Sequence, residues 1–448
     1  MKKLRVLNVI AILALVFVGF SCSDDDNGTN IIDVKVTLTY ADDIDVKEGI
    51  VVKAKPSGSG TEYEMETDDT GSVLFELPAG SYEFTASETR TKDGKLTAYN
   101  VLVSKLISDN YDETSVLELE MEGSTKSQLV IKELYMGGCP ADDGGKYYRY
   151  GQYVTIYNNS TEPADLQNLC IGSQSSNSYF MKYDIKEGDS QPYWFAEDWT
   201  PASTGYFYFS NTTILDPGKE ITVAISGAID HTQTYSQSVD LSGSENYVCY
   251  DIEAGYTHAS TYPAPSANIP ASQYLKGVKY GLGTAVVYST ASPAVFLFYP
   301  QGQSPLEYGM DETDNDYWNE NTSFPRKKVP AEWTVDGIDV FASGKEDVNV
   351  KRINPKVDAG YVYQVTEKAY TLYRNVDKDA TEAIEDNADK LVYNYAMGTV
   401  DLESKHGTTD PSEIDAEASL AKGAIIIYQD TNNSSNDFHL RKKSALRD

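Results

Sequence analysis

Strict two-residue alternation is the property that most limits what this chain can become. Val34, Val36, Leu38 and Tyr40 are separated by Lys35, Thr37 and Thr39, the period of a strand with one face in a core and the other in water. The same period returns at Tyr82, Phe84 and Ala86, and at Leu117, Leu119 and Met121 among Glu118, Glu120 and Glu122. Turn formers punctuate these runs: residues 56–60 (Pro-Ser-Gly-Ser-Gly), Asp69-Thr70-Gly71, Pro78-Ala79-Gly80 and Asp93-Gly94. Further strands are expected at 129–135, 153–157, 221–225, 285–288, 294–299 and 423–428. Two stretches, 380–391 and 411–421, carry helix signals and are expected as surface helices. With no heptads and no solenoid period, the chain is expected to be all-β.

Residues 31–123 read as one β-sandwich, 123–127 (Gly-Ser-Thr-Lys-Ser) as a linker, and 128–448 as a second, larger β domain. In the first, Asp68-Asp69-Thr70-Gly71, a short strand and then Leu77-Pro78-Ala79-Gly80-Ser81-Tyr82 resemble the carboxypeptidase regulatory-like, prealbumin-type sandwich. Gly71 and Gly80 are expected to supply positive φ at its two turns. In the second, Ile131-Lys132-Glu133-Leu134-Tyr135, then 153–158, 164–169 and 215–223 resemble a lamin-tail immunoglobulin-like domain. It is expanded by the long insertions 172–213 and 227–284, and Thr155 stands where that family prefers an acid. The fold class is thus an Ig/prealbumin-like sandwich followed by a lamin-tail-like β-sandwich with long loop insertions. The whole arrangement resembles the Bacteroidota lipoprotein family of the domain of unknown function 4876, a likeness that implies no activity.

The N-terminus carries an address. Lys2, Lys3 and Arg5 precede an apolar run ending near Phe20, too short for a permanent span of roughly 20 residues. Gly19-Phe20-Ser21-Cys22 resembles a lipoprotein signal, with Gly19 in place of the usual Leu or Val. The resemblance implies cleavage after 1–21 and fatty acylation, palmitate included, of Cys22. Residues 22–30 then form an acidic tether, whose Ser23, Asp24, Asp25 and Asp26 resemble the signal that sends Bacteroidota lipoproteins to the outer face of the outer membrane. The formal net charge of −31 becomes −34 once the signal's three cations are removed. Such a polyanion repels phosphate backbones, so nucleic acid is excluded as the default partner.

Candidate chemistry is sparse. His231, His258, His406 and His439 are isolated, no G-x-S-x-G or phosphate-binding glycine loop occurs, and no catalytic residue is assigned. Of the cysteines behind Cys22, Cys139 and Cys170 are the candidate disulfide pair, with buried free thiols the alternative. Asp311, Asp314 and Asp316 are the one acidic cluster that calcium could use, although its spacing lacks the glycine bend of a calcium loop; otherwise no cofactor is expected. Tyr193, Trp194, Trp199, Tyr317 and Trp318 sit in long loops, where aromatic rings suit stacking on a glycan or a protein partner. The expected function is a non-catalytic, surface-exposed accessory binding component of a nutrient-uptake or envelope complex, with a TonB-dependent receptor as a candidate partner. A structural or adhesive surface protein is the alternative, and a glycan or ester hydrolase a third.

Overall fold

The computed structural model describes residues 31–447 apart from 41–44, 58–59, 93–94, 109–115, 126, 175–176, 180–183, 186–190, 287, 318–323 and 403–406. The first seven strands are β1 (Ile31–Tyr40), β2 (Val51–Pro56), β3 (Tyr63–Glu66), β4 (Ser72–Pro78), β5 (Gly80–Lys92), β6 (Lys95–Ile107) and β7 (Val116–Thr125). They form one sheet in the order β3-β2-β5-β6-β7-β1-β4. The early part of β7 runs parallel to β1 and its end runs antiparallel to β6, so the sheet folds over on itself around one core. Ile32, Val34, Val36 and Leu38 enter that core from β1, and Val52, Phe75, Phe84 and Leu119 from the strands about it. Asp68 builds the turn before β4 by accepting from the amides of Thr70 (2.9 Å) and Ser72 (3.0 Å). Gly71 takes φ 72° there, whereas Gly80 is not left-handed and simply opens β5. The Tyr82 hydroxyl fastens that second corner by donating to the Pro78 carbonyl at 2.9 Å.

The second body begins with β8 (Leu129–Tyr135), β9 (Tyr153–Asn158), β10 (Ala164–Asp165), β11 (Cys170–Gln174), β12 (Trp199–Ala202) and β13 (Gly205–Tyr208). It continues with β14 (Ile214–Leu215), β15 (Glu220–Ala224), β16 (Tyr247–Cys249), β17 (Tyr274–Lys279), β18 (Ala294–Phe298) and β19 (Asn315–Tyr317). The last strands are β20 (Pro325–Pro330), β21 (Thr334–Ala342), β22 (Val362–Gln364), β23 (Thr371–Arg374) and β24 (Phe438–Arg441). Twelve of them make one sheet, β22-β21-β18-β11-β13-β17-β16-β15-β9-β8-β23-β24. β22 touches β24 and β21 touches β8, so the sheet curls until its two ends meet around Ile131, Val154, Phe207, Val223, Leu297 and Leu372. The fold is all-β, as its alternation requires. Its helices are short: α1 (Pro305–Met310), α2 (Lys378–Glu382), α3 (Ala416–Ala421) and α4 (Ser434–Asp437).

Two expectations change at the level of elements. The stretch 380–391 is not one helix: α2 ends at Glu382, and a single 3-10 turn at Glu385–Asn387 follows. The other helix starts at Ala416 behind an Asp415 N-cap, not at Pro411. Neither 423–428 nor the described part of 285–288 joins a sheet as a strand.

Candidate ligand-binding cleft

A cleft of about 880 Å³ opens between the two bodies, within the size range of small-ligand sites and at the kind of junction where they occur. Its first wall is the water-facing side of the β2-β5-β6 sheet. Alternation sends Val52, Ala54, Phe84 and Ala86 into the core, which leaves Lys53, Lys55, Glu83, Thr85 and Ser87 pointing the other way. Register then sets these residues in rows. Lys55 lies opposite Glu83 and Glu83 opposite Ser104; Lys53 lies opposite Thr85 and Thr85 opposite Leu102. Asn100 and Asn436 bridge the bodies, Asn100 to the Thr431 carbonyl at 2.5 Å and Asn436 to the Ser87 hydroxyl at 3.3 Å.

The second wall comes from 341–361 and 433–436, held by two buried aspartates. Asp339 on β21 accepts from the amides of Arg352 (2.6 Å) and Ile353 (3.0 Å) and from the Arg352 guanidinium (2.6 Å). Burial pushes its carboxyl up, but Arg352, Lys351 and these amides outweigh burial and hold it below the usual carboxylate range. Pinning Arg352 fixes its neighbour Lys351, whose ammonium is buried 3.7 Å from Asp339 and 3.4 Å from Asp358. Asp358 in turn accepts from the amides of Gly360 (3.0 Å) and Ser434 (2.7 Å). A Cβ on Gly360 would come within 1.9 Å of the Asn433 amide oxygen, so only glycine lets these two segments close. Ser435 then clasps Tyr361, accepting from its amide (3.1 Å) and donating to its carbonyl (2.8 Å).

Tyr361 is where the walls meet. Its ring stacks on Phe341 at 4.0 Å, and Lys55 covers it at 4.8 Å while donating to its hydroxyl at 2.6 Å. Burial raises the Glu83 carboxyl above its ordinary range, and the ammoniums of Lys55 and Lys351 partly offset that rise. The cleft therefore offers hydroxyls, amides and paired charges.

The residues expected to contact ligand lie elsewhere. Trp194 has 0 % exposure and Trp199 has 4 %; their rings pack 5.8 Å apart beside Tyr193. The Trp194 indole donates to the Arg352 carbonyl at 2.9 Å, and the Arg326 guanidinium lies 5.3 Å from its ring. These rings anchor a loop and are not open to a ligand. Tyr193 donates to Asp316 at 2.7 Å, and Asp316 pairs with Arg326 at 2.5 Å. Asp311 caps a turn through the Thr313 amide at 2.9 Å, and Asp311 and Asp314 both lie near the Lys327 ammonium, whereas Asp316 is held by Arg326. Among the described residues no group of three His, Cys, Asp or Glu side chains could hold a metal ion. Tyr317 is half-buried in β19 opposite Pro325, while Trp318 and the Cys22–Asp26 segment lie outside the described residues.

The expected disulfide is not made. Cys139, Cys170 and Cys249 are all buried and free. Cys170 packs on Tyr206, Phe296 and Phe298, whereas Cys139 lies in the bridge to Tyr148 beyond β8, in a different part of the body. The cleft itself was not read from sequence. Its nearest signal was the alternation of β5, which exposes Glu83 and Thr85 without saying what faces them.

Comparison with known proteins now adds a family. The profile described as "Protein of unknown function (DUF4876)" matches residues 216–390. That stretch is similar to the DUF4876 family. It carries β15 to β23 and most of the second wall of the cleft, including Asp339, Lys351 and Tyr361. A crystal structure of a DUF4876 family protein from Bacteroides thetaiotaomicron is similar at 20 % identity and TM-score 0.50, covering 91 % of this chain and 94 % of that one. The likeness to DUF4876 proteins read from the sequence is thereby borne out, and the shared fold extends over nearly the whole chain. Weaker matches are a candidate adhesin from Bacteroides ovatus (11 % identity, 64 % of this chain and 85 % of that one, TM-score 0.16) and BcpA, the major pilin subunit of Bacillus cereus (10 %, 69 % and 95 %, TM-score 0.17). No curated protein matches the chain.

Proposed function

We propose that the protein is a non-catalytic binding protein, anchored by lipid on Cys22 and facing outward from the outer membrane. It serves there as an accessory to a nutrient-uptake or envelope complex. The observation that carries the reading is the cleft: a site of about 880 Å³ built from both bodies, with each wall braced from behind. Ser23 to Asp26, next to Cys22, support the address. Two measurements on the native protein test it. Mass spectrometry of the mature chain should find residue 22 first and fatty-acylated, and detergent extraction of membranes should co-purify a stoichiometric β-barrel receptor. A mature chain that starts elsewhere, or that comes out alone, contradicts the proposal.

A further inference from the structure

Charge bookkeeping across the cleft narrows what it can hold. Lys53 is 2.6 Å from Glu64 and 3.3 Å from Glu62, Lys55 faces Glu83 across the β2-β5 ladder, and Lys351 lies between Asp358 and Asp339. Each ammonium lining the site already has a carboxylate beside it. Lys351 Nζ makes no hydrogen bond of its own and can donate to a ligand oxygen, but Asp358 and Asp339 already offset its charge, so an anionic ligand would meet them, Glu346, Asp347 and the field of a −31 chain. The inner carboxylate, Glu83, is likewise taken up by Lys55 and Lys351, so a cation finds no uncompensated charge at depth.

What the walls offer is neutral hydrogen-bonding chemistry. Thr85 and Ser104 stand on one side, and Ser343 and the Asn436 amide oxygen on the other, while Ser435 is taken up by Tyr361 and Ser87 already accepts from Asn436. Apolar patches at Val348, Val350 and Leu402 lie between them. The Tyr361 ring is not an open stacking platform, because Phe341 stacks on one side of it and Lys55 lies over it. A purely apolar ligand would leave the hydroxyls unpaired, at a cost of about 1–3 kcal/mol for each buried group. We infer that the cleft takes an uncharged oligosaccharide, recognised through its hydroxyls by the serine, threonine and asparagine side chains of the two walls and through its C–H faces by the valine patches. The inference rests on the cleft being the ligand site.

The test is affinity electrophoresis and calorimetry of the full chain. The panel holds neutral oligosaccharides (α- and β-linked glucose, mannose, galactose and xylose), an anionic polygalacturonate, a cationic chitosan and a mixed peptide digest. Thr85→Trp and Ser104→Trp fill the first wall from its water-facing side, and Glu118→Gln, on β7 outside the cleft lining, is the control. Melting curves confirm that each variant folds; if one fails, the other carries the test. The inference expects at least one neutral sugar to bind, about tenfold or more weaker in both tryptophan variants and unchanged in Glu118→Gln. Wall-dependent binding of the digest or of a charged polymer, with no neutral sugar bound, overturns the ligand class and leaves the cleft standing as the site. Neutral-sugar binding that survives both tryptophans overturns the inference and the site together, and silence across the neutral panel overturns the ligand class.

Discussion

At the scale of single residues, burial decides which aromatic and ionisable groups can act. Trp194 is enclosed, its indole N–H bonded to the Arg352 carbonyl, so Trp194→Ala removes a core side chain. Chemical unfolding should show a loss of about 3–5 kcal/mol, with a lowered melting temperature. His439 is the second case. Burial, aided by the Arg441 charge, pushes its imidazole from 6.5 to about 3, and Nδ1 contacts the Asn375 amide oxygen at 2.7 Å. The unfolded chain therefore takes a proton below pH 6.5 that the folded chain refuses. The stability tied to His439 is whole above that pH and declines as pH falls toward 3. Urea unfolding from about pH 7 to about pH 5.5 should cost the native protein about 1 kcal/mol more than it costs His439→Gln; equal pH slopes would show that the imidazole does not report burial. Neither fate is legible in sequence, where tryptophans in a long loop and a lone histidine look the same whether enclosed or free.

At the scale of elements, periodicity carries far and then fails for a physical reason. The strands at 129–135, 153–157 and 221–225 were legible because each keeps its apolar residues in register with a neighbour. The run 423–428 has the same pattern, and Ala424, Ile426 and Tyr428 are indeed buried, yet side chains take the place of a partner strand. Asn387 donates to the Ile425 carbonyl (2.7 Å) and accepts from its amide (2.8 Å). Thr381 serves Ile427, accepting from its amide at 3.1 Å, and Asn159 serves Tyr428, accepting at 2.8 Å. This also explains the broken helix at 380–391, since Thr381 and Asn387 must both turn inward to the same segment. Asn387→Ala leaves two backbone groups of Ile425 without partners. It should destabilise by about 2 kcal/mol and quicken amide exchange at 424–428; unaltered exchange there would contradict the account. The helix α1 was not expected, although its capping box, where Ser304 accepts from the Glu307 amide at 3.2 Å and the Ser304 amide donates to Glu307 at 2.9 Å, has the S-x-x-E spacing of such a cap.

At the scale of the molecule, two β bodies meet through polar contacts, among them the Lys356–Glu122 pair at 3.2 Å and the Ser127 amide on Asp430 at 3.0 Å. Polar junctions of this kind permit relative motion and hold ligands. Two sandwiches could be inferred from strand patterns, but the face each turns to the other depends on contacts such as Lys55 to Tyr361, between residues 306 positions apart. The site therefore belongs to the assembled chain and not to either half. Amide hydrogen exchange of the full chain, with and without the neutral oligosaccharide it binds most tightly, tests this most directly. Slowed exchange confined to β2, β5, β6, 341–361 and 433–436 is the predicted result. Protection centred instead on 311–317, or none in either wall, would contradict it.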